Sequence, residues 1–298
     1  MSVEFCGLRL AHPIVNGSGT FDAIAARKAF GESLASAFPF AAYVSKTITL
    51  QPRAGNPPPR LWEAPAGLVN SIGLPNKGLD AYLAEDLPQF AGLRGDPLAT
   101  ADGESHPVPL ITNVMGSTGD ELARLVAACD EPPEIAAIEL NVSCPNVATG
   151  LDIGADPAQL RGVVAGLRDR TRKPLIVKLT PNSADVPACA QAAEDAGADA
   201  VSLINTLRAK ALAPGRAGSR SWLGGGTGGL SGPAIRVVAL AQVAAVAARV
   251  KIPVVGMGGV QSTAHARDLL DAGATLVAVG TESFRDPLVG SRIAAGLL

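Results

Sequence analysis

Eight short apolar runs, each followed by an alanine-rich or polar stretch, divide this chain at a nearly regular beat. They are "PIVNG" (13–17), "AYVSKTI" (42–48), "PLITNVM" (109–115), "AAIELNV" (136–142), "PLIVKLT" (174–180), "AVSLINT" (200–206), "PVVGMGG" (253–259) and "LVAVGT" (276–281). Continuous apolar runs of this length are how strands buried on both faces read. Helices are expected near 22–37, 118–130, 157–170, 185–196, 233–250, 262–272 and 286–297. After "SGP", Pro233 sits in a first helical turn, where its missing N–H costs nothing. Ile235, Val238, Ala239, Val243, Val246 and Val250 then recur at helical spacing, a stripe suited to packing on a sheet. "EDAGADAV" and "LDAGATLV" repeat one design, a helix stopped at Gly197 or Gly273 with a buried strand following. Eight strands alternating with helices over this length predict an α/β (β/α)8 TIM barrel, with an N-terminal hairpin ahead of the first strand. A doubly wound open sheet is the alternative, but it usually needs fewer strands. With 298 residues and 47% apolar content, residues 1–298 are expected to form a single barrel domain.

Two excursions interrupt the beat. Residues 49–107 follow the second strand, and residues 207–230 follow the sixth. Both carry little obvious structure in their sequence, and both leave C-terminal strand ends, where barrel enzymes keep their chemistry. They read as functional lids or as tolerated insertions. A net charge of −2 offers no basic footprint, so neither nucleic acid nor an anionic membrane is expected as a partner. Cys6, Cys129, Cys144 and Cys189 lie far apart without CxxC spacing, which fits neither a disulfide framework nor a zinc site. The start lacks a cationic leader and no window reads as a spanning helix, so a cytoplasmic protein with reduced thiols is expected.

Strand ends here carry polar groups that a pure core would avoid: Ser18, Lys46, Asn113, Asn141, Lys178, Asn205 and Thr206. A single lysine in an apolar strand is usually a rim residue. Two lysines with three amides are better explained together, by a bound polar ligand that satisfies them collectively. The seventh and eighth strands end in glycines, Gly256, Gly258 and Gly259, then Gly280 with Thr281. Either cluster alone is ordinary turn chemistry; the pair, each ahead of a helix, suits a phosphate.

"IELNVSCPN" (138–146) poses the sharpest question. Alone, Cys144 reads as a small buried hydrophobe, as the other three cysteines do. It differs in opening a loop at the active face between Asn141 and Asn146, where a thiol can serve as nucleophile or proton acceptor. His12, His106 and His265 all lie away from these strand ends in sequence, which favours a cysteine acting alone as a base.

"NVSCPN", "KTITLQPRAGNPPPR", "NSIGLPNKG", "INTL", "TGGLSGPAI" and "GMGGV…GAT…VAVGT", in this order, resemble the class 1 dihydroorotate dehydrogenases over nearly the whole chain. The resemblance implies a (β/α)8 barrel holding FMN that oxidises (S)-dihydroorotate to orotate in pyrimidine biosynthesis. It makes Cys144 the base for the C5 proton while hydride leaves C6 for flavin N5. Substrate contacts are implied for Lys46, Asn70, Ile72, Gly73, Leu74, Asn141, Asn146, Asn205 and Thr206. Asparagine suits a uracil-like edge of alternating donors and acceptors, and Lys46 suits the carboxylate. FMN contacts are implied for Gly17, Ser18, Gly19, Lys46, Thr47, Asn113, Asn141, Lys178 and Ile204. Of these, Lys178 would offset charge near flavin N1 and O2. The phosphate falls to Gly232, Gly258, Gly259, Gly280 and Thr281. No metal site is implied.

Within class 1, "SGTF", "TGGLSGPAI" and "GMGGV" look like branch 1B, whose FMN subunit pairs with an FAD and 2Fe–2S subunit and passes electrons to NAD. A homodimer joined to that partner in a heterotetramer is then implied. "NSIGLPN" leans towards the fumarate-using homodimers of branch 1A, which stay the alternative along with a related flavin barrel acting on another dihydropyrimidine. The chain departs from the 1B pattern after "INTL", where Arg208-Ala209-Lys210 replaces the usual Gly-Met. That departure bears on loop contacts and partner docking, not on the base.

Overall fold

The computed structural model describes residues 2–142, 153–213 and 220–298. Eight parallel strands form the expected barrel: β1 (Ile14–Asn16), β2 (Tyr43–Val44), β3 (Leu110–Val114), β4 (Ile135–Asn141), β5 (Leu175–Lys178), β6 (Ala200–Leu203), β7 (Val254–Met257) and β8 (Leu276–Val279). Each strand pairs with its sequence neighbour from β2 through β8, and β8 pairs with β1. The seam between β1 and β2 is closed partly by a side chain. Asn16 Nδ2 donates to Val44 O at 2.8 Å, and Asn16 Oδ1 accepts from Val44 N at 2.8 Å. The Asn16 amide, which both donates and accepts, stands in for a β1 peptide opposite the backbone of Val44.

Two apolar layers follow from the alternation of side chains along each strand. One face packs outward on the helices, as with Ile138, Leu140, Val177, Val201 and Val277. The other face turns inward: Val15, Val44, Ile111, Ala137, Ile176, Ala200, Val255 and Leu276 fill the barrel, with Phe5 and Leu10 packed against them. These two belong to the N-terminal hairpin (Val3–Phe5 with Leu8–Leu10), which plugs the N-terminal end of the strands.

The predicted helices form with shifted bounds. The stretch at 22–37 splits into Ala23–Phe30 and Ser33–Ser36, because Gly31 takes φ 78° and ends the first turn series. Residues 233–250 begin as a 3₁₀ turn, Pro233–Ile235, before the α-helix Arg236–Ala247. Asp22, Thr118, Asp156, Asp185 and Ser262 cap helices with side-chain oxygens that accept backbone N–H groups.

The largest difference from expectation lies in the two excursions, which are not structureless. Leu61–Ala64 and Gly67–Asn70 form a hairpin, and Gly228–Ser231 and Leu207–Ala209 extend it into one four-stranded antiparallel sheet. Residues 79–90 add an irregular helix after β2 that the sequence-based prediction lacks. Among the described residues, no helix is long and apolar enough to cross a membrane.

His12, 2% exposed between the hairpin and β1, accepts from Ile14 N through Nδ1. Burial pulls its pKa down to about 4, from an ordinary value of about 6.5. Between those values the unfolded chain binds more protons than the folded one. Stability is therefore expected to fall as pH drops through that window, by roughly 3 kcal/mol from this group. Urea midpoints at pH 7 and pH 4.5 check this: the decline should be shallower in His12→Asn than in the wild-type chain.

Candidate functional site

The C-terminal mouth of the barrel gathers the polar residues expected there. Thr47 and Asn141, both buried, meet where Asn141 Nδ2 donates to Thr47 Oγ1 at 3.2 Å. Ser18, just beyond β1, donates to Ser45 O at 2.8 Å and lies 3.4 Å from Thr47 Oγ1. Gly17 N donates to Val279 O at 2.8 Å, which ties the first loop to β8, and Gly19 turns that loop with φ 74°. Lys46 follows β2 half-buried. Lys178, 6% exposed, stands opposite Asn141 on one side and Ser202 on the other. Parallel partners at one level project to one face, so these three line the same wall.

One step below lies Asn113, fully buried on β3. Its Nδ2 donates to Glu139 Oε2, while its Oδ1 has no hydrogen-bond partner among the described residues. Glu139 Oε1 accepts from Ser202 Oγ at 2.6 Å. Glu139 is not among the sequence-derived candidates. Its signal was a carboxylate in an apolar strand, two residues before Asn141 and so on the same face.

The four-stranded sheet contributes its residues from the side. Asn70 ends one strand, and its Nδ2 donates to Gly229 O at 3.3 Å. A Cβ on Gly229 would stand 1.9 Å from Thr206 Oγ1, so only glycine allows the sheet to lie this close to the end of β6. Asn70 and Thr206 thereby both lie against Gly229. Ile72 O accepts from Asn56 N at 3.0 Å, Gly73 takes φ 75° and Leu74 takes φ 55°. Ile204 is buried, and its N–H donates to Met257 O. Asn205 Oδ1 accepts from Thr206 N at 2.8 Å.

The predicted phosphate residues also converge. Gly232, Gly259 and Thr281 line one small pocket together with Gln261 and Glu282. Gly232 and Gly259 have φ 90° and 70°, and a Cβ on Gly259 would stand 2.9 Å from Gly232 O. Two loops thus touch backbone to backbone. Thr281 Oγ1 donates to Ser231 Oγ at 2.8 Å, and Gly280 precedes it after β8. Gly258 backs on Ala239, leaving a hypothetical Cβ 2.7 Å from it.

Cys144 and Asn146 lie outside the described residues. The remaining thiols fit inert roles. Burial pushes Cys6 and Cys129 up to about 12 and raises Cys189 as well. At neutral pH none of them is a thiolate.

A family model described as dihydroorotate dehydrogenase matches residues 1–298. A protein of Trichlorobacter lovleyi named dihydroorotate dehydrogenase B (NAD(+)), catalytic subunit, is 44% identical over 301 residues, spanning 100% of this chain and 92% of its own length. Proteins of the same name from Pelobacter propionicus and Desulforudis audaxviator are 43% and 44% identical, spanning 100% and 99% of this chain and 92% and 91% of theirs. Full-length similarity of this kind, on a barrel whose mouth is lined as described, has one meaning: the chain belongs to the dihydroorotate dehydrogenase family.

Proposed function

We propose that this chain oxidises (S)-dihydroorotate to orotate with FMN in the barrel mouth, as the catalytic subunit of an NAD-linked enzyme. The name shared by its relatives supports the reaction and the acceptor. The observation that carries the cofactor is the pairing of two features. Asn113 Oδ1 is a buried acceptor without a partner among the described residues, and Gly232 and Gly259 form a bare backbone cradle beside Thr281. A flavin mononucleotide fits both, because its ring carries an N–H donor and its tail carries a phosphate.

In this reading Gly17, Ser18, Gly19, Lys46, Thr47, Asn113, Asn141, Lys178 and Ile204 hold the flavin ring and ribityl chain. Gly232, Gly258, Gly259, Gly280 and Thr281 hold the phosphate. When bound, the flavin supplies the two-electron acceptor for the hydride that leaves substrate C6. Cys144 takes the C5 proton, and loss of both hydrogens leaves the C5–C6 double bond of orotate. Lys46 meets the substrate carboxylate. Asn70, Asn141, Asn146, Asn205 and Thr206, with the backbone of Ile72, Gly73 and Leu74, match the donors and acceptors of the ring. Lys178 offsets negative charge that builds up at the mouth in the transition state. The four-stranded sheet covers this region and keeps water from the reacting atoms.

Electrons then leave through a partner subunit carrying FAD and a 2Fe–2S cluster, with this chain as a homodimer at the centre of a cytoplasmic heterotetramer. Residues 1–298 act in it as one FMN-binding domain. The test is anaerobic mixing of the flavin-loaded chain with dihydroorotate, followed by acceptor addition. Flavin absorbance should bleach, and NAD should restore it only with the co-expressed partner. Absence of bleaching would overturn the reaction. Rapid recovery with fumarate alone would overturn the acceptor.

A further inference from the structure

Glu139 is the buried group that the proposed chemistry leaves without a task. It is 4% exposed inside the barrel, directly above an apolar layer that includes Ile111, Ile176 and Leu276. A carboxylate in such a place is costly unless its oxygens are met. Both are met, from two different strands: Asn113 Nδ2 of β3 reaches Oε2, and Ser202 Oγ of β6 reaches Oε1 at 2.6 Å. Replacing the trio with aliphatic side chains would fill the same space at lower cost. Its presence therefore needs a reason beyond stability.

The reason lies in the direction of one amide. A carboxylate accepts at either oxygen, so the end of the Asn113 amide that faces Glu139 is its NH₂. The carbonyl end is then committed elsewhere, and it is the atom without a partner among the described residues. Without Glu139, Asn113 could present either end. The Asn113 backbone is fixed as well, since its N–H donates to Ser45 Oγ at 3.0 Å. Ser45 O in turn accepts from Ser18 Oγ, which places Asn113 directly beneath the Ser18–Thr47–Asn141 group.

We infer that Glu139 is a positioning residue: it locks the Asn113 amide so that Oδ1 accepts an N–H of the flavin ring. This rests on the flavin reading of the site and adds to it a residue that touches neither flavin nor substrate. An acceptor buried and unmet is costly, and a ring N–H relieves that cost on binding.

The test is a double-mutant cycle on FMN retention, read from recovery of free-flavin fluorescence on dilution of the flavin-loaded full chain. Glu139→Gln keeps shape but offers an NH₂ of its own, which lets Asn113 turn its carbonyl inward. It should weaken FMN about tenfold, and Asn113→Ala should weaken it by a similar factor. In the Asn113→Ala background, E139Q should have no further effect beyond about twofold. Ser202→Ala, which releases Oε1 alone, gives the same cycle with a smaller effect should the E139Q chain fail to accumulate. Equal losses in both backgrounds, or no loss from E139Q, would overturn the positioning role. A wild-type chain that holds no FMN would end the flavin reading itself, whereas an additive cycle on a flavin-loaded chain ends this inference alone.

Discussion

Cys144→Ala should leave the protein yellow and nearly inert. A positioned base contributes about 10²–10⁴-fold to a proton transfer, so dihydroorotate-driven flavin bleaching should slow by that factor. FMN content should stay near wild type, because Cys144 is not among the residues proposed to hold the flavin. Cys144→Ser keeps a proton acceptor of much higher pKa. Its bleaching rate should lie between the two and rise with pH over a range where the wild type has levelled off. The other thiols provide an internal control: Cys129 and Cys189 are buried and raised, and the Cys6 thiol donates to Asp199 O. Alkylation at neutral pH should therefore reach Cys144 first and fail to reach it when orotate is bound. Stopped-flow reduction together with mass spectrometry of the alkylated chain checks both. Full-rate bleaching by the alanine variant would remove the cysteine from the chemistry.

The barrel was legible because parallel strands buried on both faces leave uninterrupted apolar runs, as in "PLIVKLT" and "LVAVGT". Their ends were less so. The run at 42–48 narrows to a two-residue strand, since Ser45, Lys46 and Thr47 already turn to the mouth. The helix after β2 was hidden by its own irregularity, with Pro88 in the first turn of a 3₁₀ segment that follows a wider helical turn. The four-stranded sheet had no local signal at all. Its central pairing joins Asn70 to Gly229, far apart in sequence, and the two strands so paired, Gly67–Asn70 and Gly228–Ser231, both begin with glycine. Lys178, Asn113 and Asn141 stood out as polar residues at the ends of apolar runs. Glu139 lies within such a run and its partners are 26 and 63 residues away, so its role depends on the closed barrel.

Gly259→Ala should sharply narrow the preference for FMN over riboflavin. At φ 70° an alanine costs about 1–2 kcal/mol in backbone energy alone. Its Cβ would also stand 2.8 Å from Arg236 Cβ and 2.9 Å from Gly232 O, both too close for real contacts. Arg236 cannot easily yield, since it begins a helix and its guanidinium is paired with Asp268 at 2.7 Å. The β7 loop must then move away from the Gly232 loop, which opens the cradle between them. Each hydrogen bond to a charged group is worth about 1.5–3 kcal/mol, so losing one weakens FMN about 10- to 100-fold. Riboflavin has no phosphate to lose, and its affinity should change by less than threefold, under about 0.7 kcal/mol. Titration of the full chain with each flavin gives the ratio directly. Were both ligands weakened alike, the substitution would be acting on the ring site or on the barrel as a whole. A fall confined to FMN assigns the phosphate to the backbone of the β6 and β7 loops.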